Sequence, residues 1–182
     1  MNFDVIKSNK IFNGKVFDVK VDEIRYHESG NLGIREVAIH PGGAVVVPVS
    51  KDGKIFLISQ YRYPMNETTI ELPAGKLEKN EDPLIAAQRE LKEETGFSSK
   101  DIVKLGKIYT TPGFCNEILH IYLAENLNAG EHAREEGELG MQLIEMSLDE
   151  IEEQIYAGKI VDSKTICGVE MFKIYLKKKQ KK

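Results

Sequence analysis

The chain has 182 residues, of which 41% are hydrophobic and 30% are charged, and its formal net charge is −4 at pH 7. This composition excludes a fibrous or globally disordered protein, and the small acidic excess argues against a protein that coats nucleic acid. The longest hydrophobic runs, such as residues 44–47, contain only four residues and are far too short to cross a bilayer. We therefore expect a globular protein with no membrane and no nucleic-acid partner.

The N-terminal sequence and the cysteine content predict a cytoplasmic location. Residues 1–4 contain no basic stretch followed by an apolar core, so a secretory signal is not predicted. Cys115 and Cys167 are the only cysteines, too few for a disulfide-stabilised scaffold, and a reducing compartment is the default expectation.

The first forty residues predict short strands and turns. Phe17, Val19 and Val21 alternate with polar neighbours, as in a half-buried strand, and a second apolar run covers residues 34–39. Pro41, followed by two glycines, marks a boundary. We predict a β-rich N-terminal region over residues 1–41 and a second domain over residues 42–182.

The second predicted domain combines strands with three helices. Apolar runs predict five strands, at residues 44–49, 55–58, 108–109, 118–123 and 141–146. Capping residues predict helices that begin after Asp82, Ser147 and Asp162. Pro83 and Gly96 stand where the first helix should begin and end. The order of elements predicts a mixed α/β sandwich rather than a parallel βαβ series.

The first predicted helix carries three glutamates on one side. Glu93 and Glu94 follow Glu90 by three and four residues, so all three side chains project from one side of the helix. Clustered oxygen ligands without nearby His or Cys favour Mg²⁺ or Mn²⁺ over zinc, and Mg²⁺ also seeks phosphate oxygens. Arg89 can pair with Glu93 at the i,i+4 spacing and hold that carboxylate in place. The alternative interpretation of the three glutamates is a solvated acidic helix face.

The residues around these glutamates form a longer motif. Its defined positions are Gly75, Glu81, Arg89, Glu90, Leu91, Glu93, Glu94, Gly96 and Phe97. They fit the pattern G-x5-E-x7-R-E-U-x-E-E-x-G-U, in which U is a bulky apolar residue. This pattern is the Nudix box, and the chain resembles the Nudix hydrolases at every defined position. The resemblance implies a Nudix α/β/α sandwich with a mixed sheet, here preceded by the β-rich N-terminal region.

The resemblance also implies roles for individual residues. Members of the family hydrolyse a nucleoside diphosphate linked to another moiety and use a divalent metal held by the box glutamates. Carried onto this chain, Glu90 and Glu94 are the main metal ligands, Glu93 assists metal binding and catalysis through water, and the Ala74 carbonyl is a further ligand. The implied cofactor is Mg²⁺, with Mn²⁺ as a substitute.

Features outside the box resemble the ADP-ribose pyrophosphatase and nucleoside-diphosphate-sugar branch of the family. They are residues 60–63 with 70–75, Pro112 beyond the box, and residues 162–165. The branch implies cleavage of ADP-ribose to AMP and ribose 5-phosphate by a homodimer that exchanges its N-terminal regions. Nucleoside triphosphate and capped-RNA hydrolases are the alternatives within the family.

Three residues outside the box are predicted to bind substrate. Arg62 is assigned to the diphosphate because a guanidinium has several donors and a permanent charge; the alternative is an arginine in a strand-end salt bridge. Glu117 is assigned to the hydroxyls of the terminal sugar, with an exposed strand carboxylate as the alternative. Gly113 is assigned to the same substrate site, and the neighbouring Phe114 either belongs to the core or touches the substrate.

The branch places the glutamate that activates water on a loop outside the box. The matching loop covers residues 128–141, and after a one-residue shift in the alignment Glu138 is the predicted general base, with Glu136 next. His120 and His132 are the alternative bases.

Three functions compete at this stage. The first is the Mg²⁺-dependent hydrolysis of ADP-ribose or a related sugar nucleotide such as GDP-mannose. The second is a Nudix-like module that binds nucleotide sugars without cleaving them, and the third is a structural acidic domain. All box glutamates are present, which favours the enzyme.

Overall fold

The structure is a computed structural model that describes residues 2–131 and 140–181. The chain forms two compact units. The first contains the residues up to Gly42 together with Tyr109–Ile118, and the second contains Gly43–Ile108 and the residues from Leu119 onward. The domain boundary that we placed between residues 41 and 42 stays a prediction.

The first unit is built on a three-stranded antiparallel meander. Its strands are β1 (Phe3–Asn13), β2 (Asp18–Tyr26) and β3 (Leu32–Ile39), in the order β1-β2-β3. The segment from Tyr109 to Ile118 runs beside β3, where the Ala38 N–H donates to the Phe114 carbonyl at 2.8 Å. The N-terminal region is therefore β-rich, as its sequence predicts.

The second unit contains the remaining elements. Its strands are β4 (Gly43–Pro48), β5 (Ile55–Arg62), β6 (Glu67–Glu71), β7 (Ala74–Lys76), β8 (Phe97–Ser98), β9 (Asp101–Tyr109), β10 (Ile118–Glu125), β11 (Asn128–Ala129) and β12 (Gln142–Met146). Its helices are α1 (Pro83–Thr95), α2 (Leu148–Tyr156) and α3 (Ser163–Lys179).

Two sheets organise this unit. The first has the order β7-β4-β10-β9, and it is mixed because β4 runs parallel to β10 and antiparallel to β7. The second has the order β12-β5-β6 with antiparallel pairs, and β11 with β8 forms a short ribbon.

Strand β4 lies between two hydrophobic layers. Val45 and Val47 pack in a cluster with residues of α2 and α3, whereas Ala44 and Val46 pack against α1. All six residues of β4 are buried because both faces of the strand are covered, which explains its unbroken apolar sequence. Helices therefore flank the mixed sheet on both sides, and the predicted α/β sandwich is confirmed.

The helix ends follow the capping residues in the sequence. Asp82 accepts the Leu84 N–H at 2.8 Å, and Gly96 ends α1 in the left-handed region at a φ of 77°. Ser147 and Glu150 form a capping box, and Asp162 accepts the Thr165 N–H at 2.9 Å at the start of α3. The three predicted helix starts are confirmed. Among the residues that the structure describes, no helix is both long and apolar enough to span a membrane.

Candidate active site

Helix α1 presents two buried carboxylates to the loop that precedes it. Glu90 and Glu94 are one helical turn apart, and they are only 5% and 2% exposed. Glu93, on the neighbouring side of the helix, keeps 33% of its side chain exposed. Burying two negative charges one turn apart is unfavourable unless donors or cations compensate for the lost water.

The strand β7 supplies the backbone that faces these carboxylates. The Ala74 N–H donates to Oε2 of Glu94 at 2.9 Å. A methyl group at Gly75 would overlap the Glu90 carboxylate, so this position has room only for a hydrogen atom. The peptide between Ala74 and Gly75 therefore lies against both buried glutamates.

Arg89 connects the acidic residues of the motif. Its guanidinium donates to Glu81 at 3.0 Å, to Glu90 at 2.6 Å and to Glu93 at 2.9 Å, which confirms the pairing with Glu93 predicted from their spacing. It also donates to the Lys76 carbonyl at 3.1 Å, so it joins α1 to the end of β7. The hydrogen bond with Arg89 lowers the pKa of Glu81, and the same contact raises the pKa of Arg89.

A second ionic group lies at the end of β6, outside the motif. Arg62 donates to both carboxylate oxygens of Glu71, from Nε at 2.8 Å and from Nη2 at 2.6 Å. Lys164 and Thr69 also donate to Glu71, which is only 2% exposed. Such a bidentate pair fixes the plane of the guanidinium.

Comparison with known proteins identifies the family. The model of the NUDIX domain matches residues 39–166 of this chain. The chain belongs to the NUDIX domain family. The resemblance to the Nudix hydrolases that the box implied is therefore confirmed.

Individual relatives agree with this assignment. The chain is 40% identical to the methanol dehydrogenase activator of Bacillus methanolicus, over 93% of this chain and 91% of that protein. It is 38% identical to the ADP-ribose pyrophosphatase of Bacillus subtilis (strain 168), with the same coverage of 93% and 91%. A crystal structure of an "ADP compounds hydrolase" superposes with a TM-score of 0.87 over 98% of this chain and 96% of that one, at 19% identity, which shows the Nudix fold.

Nudix hydrolases generally use a divalent metal, and the donors of this site suit a hard cation. Two buried carboxylates, Glu90 and Glu94, lie next to a backbone segment that carries the Ala74 carbonyl. Among residues 2–131 and 140–181, no three His, Cys, Asp or Glu side chains are grouped closely enough to form a metal site by themselves. Two carboxylates and a carbonyl leave further positions for water and phosphate oxygens, the coordination that Mg²⁺ prefers.

The predicted sugar-binding residues lie in the first compact unit. Glu117 faces His40, whose Nδ1 is 3.1 Å from its carboxylate, and its side chain is 24% exposed. Gly113 has open space where a side chain would be, and the neighbouring Phe114 is 60% exposed. Phe114 is thus outside the hydrophobic core of the chain, and the roles assigned to Gly113 and Glu117 stay predictions.

The predicted general base lies outside the described residues. Glu138, Glu136 and His132 all belong to residues 132–139, for which the structure gives no placement. The remaining alternative, His120, is on β10, and its Nδ1 is buried without a hydrogen-bond partner among the described atoms. Burial, together with Lys104 and Lys107, lowers the pKa of His120.

The sequence predicted no individual role for Glu71 or Lys164. Both belong to segments that carried the branch resemblance, residues 70–75 and 162–165. A charged residue between Ile70 and Leu72, at the end of a β-rich run, is a signal that could have identified Glu71 as a buried and paired carboxylate.

The ion pairs of Glu71 predict a loss of stability in acid. Burial raises the pKa of Glu71, but the hydrogen bond from Arg62 and the charge of Lys164 outweigh this effect and lower the pKa from 4.5 to about 2. Since the folded-state pKa lies below the unfolded-state value, Glu71 stabilises the fold above pH 4.5 and this contribution disappears as the pH falls toward 2. The contribution is on the order of 3 kcal/mol.

Denaturant unfolding at a series of pH values measures this effect. Between about pH 4.5 and 2.5, the free energy of unfolding should fall more steeply for the unaltered protein than for Glu71→Gln, which has no carboxylate to protonate there. Parallel pH profiles for the two proteins would show that Glu71 does not have the low pKa.

Proposed function

We propose that this chain hydrolyses the diphosphate of ADP-ribose, or of a related nucleoside diphosphate sugar, to a nucleoside monophosphate and a sugar phosphate. The observation that carries the proposal is the pair of buried carboxylates, Glu90 and Glu94, against the Ala74–Gly75 peptide. The 38% identity to an ADP-ribose pyrophosphatase over 93% of the chain supports this substrate class. With ADP-ribose, the products are AMP and ribose 5-phosphate.

The box residues would hold the metal ion. Glu90, Glu94 and the Ala74 carbonyl are the proposed ligands of Mg²⁺, for which Mn²⁺ would substitute, and Glu93 would act through a bound water. When bound, the ion supplies positive charge to the diphosphate and lowers the pKa of water. Arg89 supports this role because its contacts with Glu81 and Glu90 connect the loop before α1 to the helix and fix their relative position.

Arg62 is the proposed ligand of the diphosphate. Its side chain is 40% exposed, and its hydrogen bonds to Glu71 use Nε and Nη2. Within the described part of the chain, Nη1 makes no hydrogen bond, and this edge of the guanidinium is therefore available to a phosphate oxygen. From the family resemblance alone, Gly113 and Glu117 are also proposed to bind the substrate, with Glu117 assigned to the sugar hydroxyls.

Glu138 is the proposed general base, which takes the proton of the attacking water. We expect Glu138→Gln to lower kcat by roughly a hundredfold or more with little change in KM, because the amide cannot accept that proton. Glu136→Gln is the matched control on the same segment. A loss of kcat in Glu136→Gln with none in Glu138→Gln would assign the base to Glu136.

A substrate panel tests the activity itself. The unaltered protein would be incubated with Mg²⁺ and ADP-ribose, GDP-mannose or UDP-glucose, and the nucleoside monophosphate would be measured. We expect AMP from ADP-ribose, and preferential release of GMP would identify a GDP-mannose hydrolase instead. Binding of these compounds without any product would favour a non-catalytic module.

We also propose that the protein is a homodimer built through its N-terminal region and located in the cytoplasm. The strands β1 and β3 and the turn after β1 expose large apolar side chains that an isolated chain leaves in water. They are Val5, Ile6, Ile11, Phe12, Val16, Phe17, Leu32 and Ile34, and each is at least 44% exposed. So many exposed apolar side chains in one region indicate a protein partner, and a second copy of this region fits the exchange that the branch implies. Light scattering should give twice the mass of the chain, and a monomer would contradict the dimer.

A further inference from the structure

Arg62 and four neighbouring polar residues form a compact cluster, which we call the Glu71 cluster. Its members are Arg62, Thr69, Glu71, Asp162 and Lys164. Each Glu71 oxygen accepts two hydrogen bonds: Oε1 from Arg62 and from Thr69 at 2.5 Å, and Oε2 from Arg62 and Lys164. The carboxylate is thus held on both oxygens, so it has little freedom to rotate.

The charges of the cluster balance only if Lys164 is included. Arg62 and Lys164 contribute two positive charges, and Glu71 and Asp162 contribute two negative ones, with Lys164 Nζ at 3.0 Å from Asp162 Oδ1. Lys164 is only 12% exposed, so water compensates for little of its charge. Without Lys164, the two carboxylates would face Arg62 alone, and the cluster would carry a net negative charge at the place where a phosphate should bind.

The start of α3 also fixes the backbone next to Glu71. The Thr165 hydroxyl accepts the Leu72 N–H at 2.7 Å and donates to Asp162 at 2.6 Å, and Thr165 is fully buried. Lys164 and Thr165 at the start of α3 therefore bind Glu71 and Leu72, respectively. Two residues after Leu72, the Ala74 N–H donates to Glu94.

A cavity of about 510 Å³ opens beside this cluster. Arg62, Glu71 and Lys164 line it together with apolar side chains that include Met65 and Val161. The space is large enough for part of a nucleotide sugar, and the Arg62 guanidinium borders it with its orientation set by Glu71.

We propose that Lys164 is a positioning residue for substrate binding. By neutralising Glu71 and Asp162, it keeps the Arg62 guanidinium oriented and prevents a net negative charge beside it that would repel the diphosphate. This inference rests on the proposed function because it takes the diphosphate as the ligand of Arg62. Lys164 need not touch the substrate, since it acts through Glu71.

Lys164→Met tests the inference because methionine keeps most of the side-chain volume and removes the charge. We expect KM for ADP-ribose to rise roughly tenfold, with kcat changed less than about twofold, because the loss of positive charge weakens binding of an anion before chemistry begins. Lys164→Arg should restore most of the affinity. Lys173→Met, the same substitution on the same helix at a lysine paired with Glu152 and Glu170, is the matched control and should keep the parental KM.

Calorimetric binding of ADP-ribose in EDTA gives a second readout that does not depend on turnover or metal. Affinity should fall about tenfold in Lys164→Met, and this difference should shrink at high salt. Thermal unfolding of each variant verifies that the fold is retained. A merely structural role would lower the folded fraction or kcat and leave KM and affinity unchanged.

The outcomes separate the inference from the proposed function. If the unaltered protein hydrolyses ADP-ribose while Lys164→Met keeps its KM and metal-free affinity, the inference alone is overturned. If the unaltered protein binds ADP-ribose without hydrolysing it, the proposed activity falls and the calorimetry still decides the inference. If the unaltered protein neither binds nor hydrolyses ADP-ribose, both are overturned.

Discussion

Glu94→Gln is expected to lower kcat roughly a thousandfold or more while the protein remains folded. Glu94 is 2% exposed, and its Oε2 accepts the Ala74 N–H, so its carboxylate lies beside the peptide that carries the proposed carbonyl ligand. Glutamine still offers a carbonyl oxygen to that N–H, but it lacks the negative charge that a hard cation requires. A thousandfold loss equals about 4 kcal/mol of transition-state stabilisation, the scale expected for a disrupted metal site.

Steady-state kinetics over a range of Mg²⁺ concentrations measure this loss, and circular dichroism verifies the fold. Glu153→Gln, the same substitution at an exposed carboxylate of α2, serves as the control and should keep the parental kcat. A folded Glu94→Gln protein with undiminished kcat would remove Glu94 from the mechanism.

Gly75→Ala is expected to weaken metal binding by roughly ten- to a hundredfold. The added methyl group overlaps the buried Glu90 carboxylate, so the side chain of Glu90 must shift and its hydrogen bond with Arg89 is disturbed. That movement takes Glu90 out of the place where it would ligate the metal. Disturbing the surroundings of a ligand by this amount typically costs ten- to a hundredfold in metal affinity.

A double-mutant cycle shows whether Glu90 carries the effect. The apparent Mg²⁺ affinity and kcat would be measured for Gly75→Ala, for Glu90→Gln and for the combined variant. If the methyl group acts by displacing Glu90, it should add little in the Glu90→Gln background. Additive losses would instead show that Gly75→Ala damages the loop independently of Glu90.

The elements that the sequence predicted well are those with local signals. Helix α1 begins after Asp82 and ends at Gly96, and both ends depend on a single side chain or backbone angle that neighbouring residues reveal. Strand β4 was recognisable because burial on both faces demands an unbroken apolar run. The Nudix box places its glutamates by helical spacing alone, so this part of the candidate site was available from the sequence.

Strand β1 was not predicted because its sequence does not alternate. Val5 and Ile6 are adjacent apolar residues, as are Ile11 and Phe12, and the pairing with β2 shifts register between Val5 and Lys7 and again between Lys10 and Phe12. Each shift resets which face a residue occupies, so a period of two is lost. These side chains are about half exposed or more, so burial within the chain did not shape the pattern either.

The Glu71 cluster was missed for a different reason. Glu71 and Lys164 are separated by 93 residues, and no spacing rule connects positions that far apart. Arg62 had two interpretations from its sequence context, a phosphate ligand or a salt-bridge partner, and the structure shows the ion pair with Glu71. The two interpretations are compatible, because the ion pair uses one edge of the guanidinium and leaves the other edge for a ligand.

In the proposed mechanism, Glu90, Glu94 and the Ala74 carbonyl hold a divalent cation against the diphosphate of a nucleotide sugar. Anomalous diffraction from crystals soaked with Mn²⁺ and a non-hydrolysable methylene analogue of ADP-ribose tests it directly. We expect a manganese peak between the Glu90 and Glu94 carboxylates, with the analogue's phosphonate oxygens among its ligands. An analogue bound elsewhere, or bound here with no manganese beside those carboxylates, would contradict it.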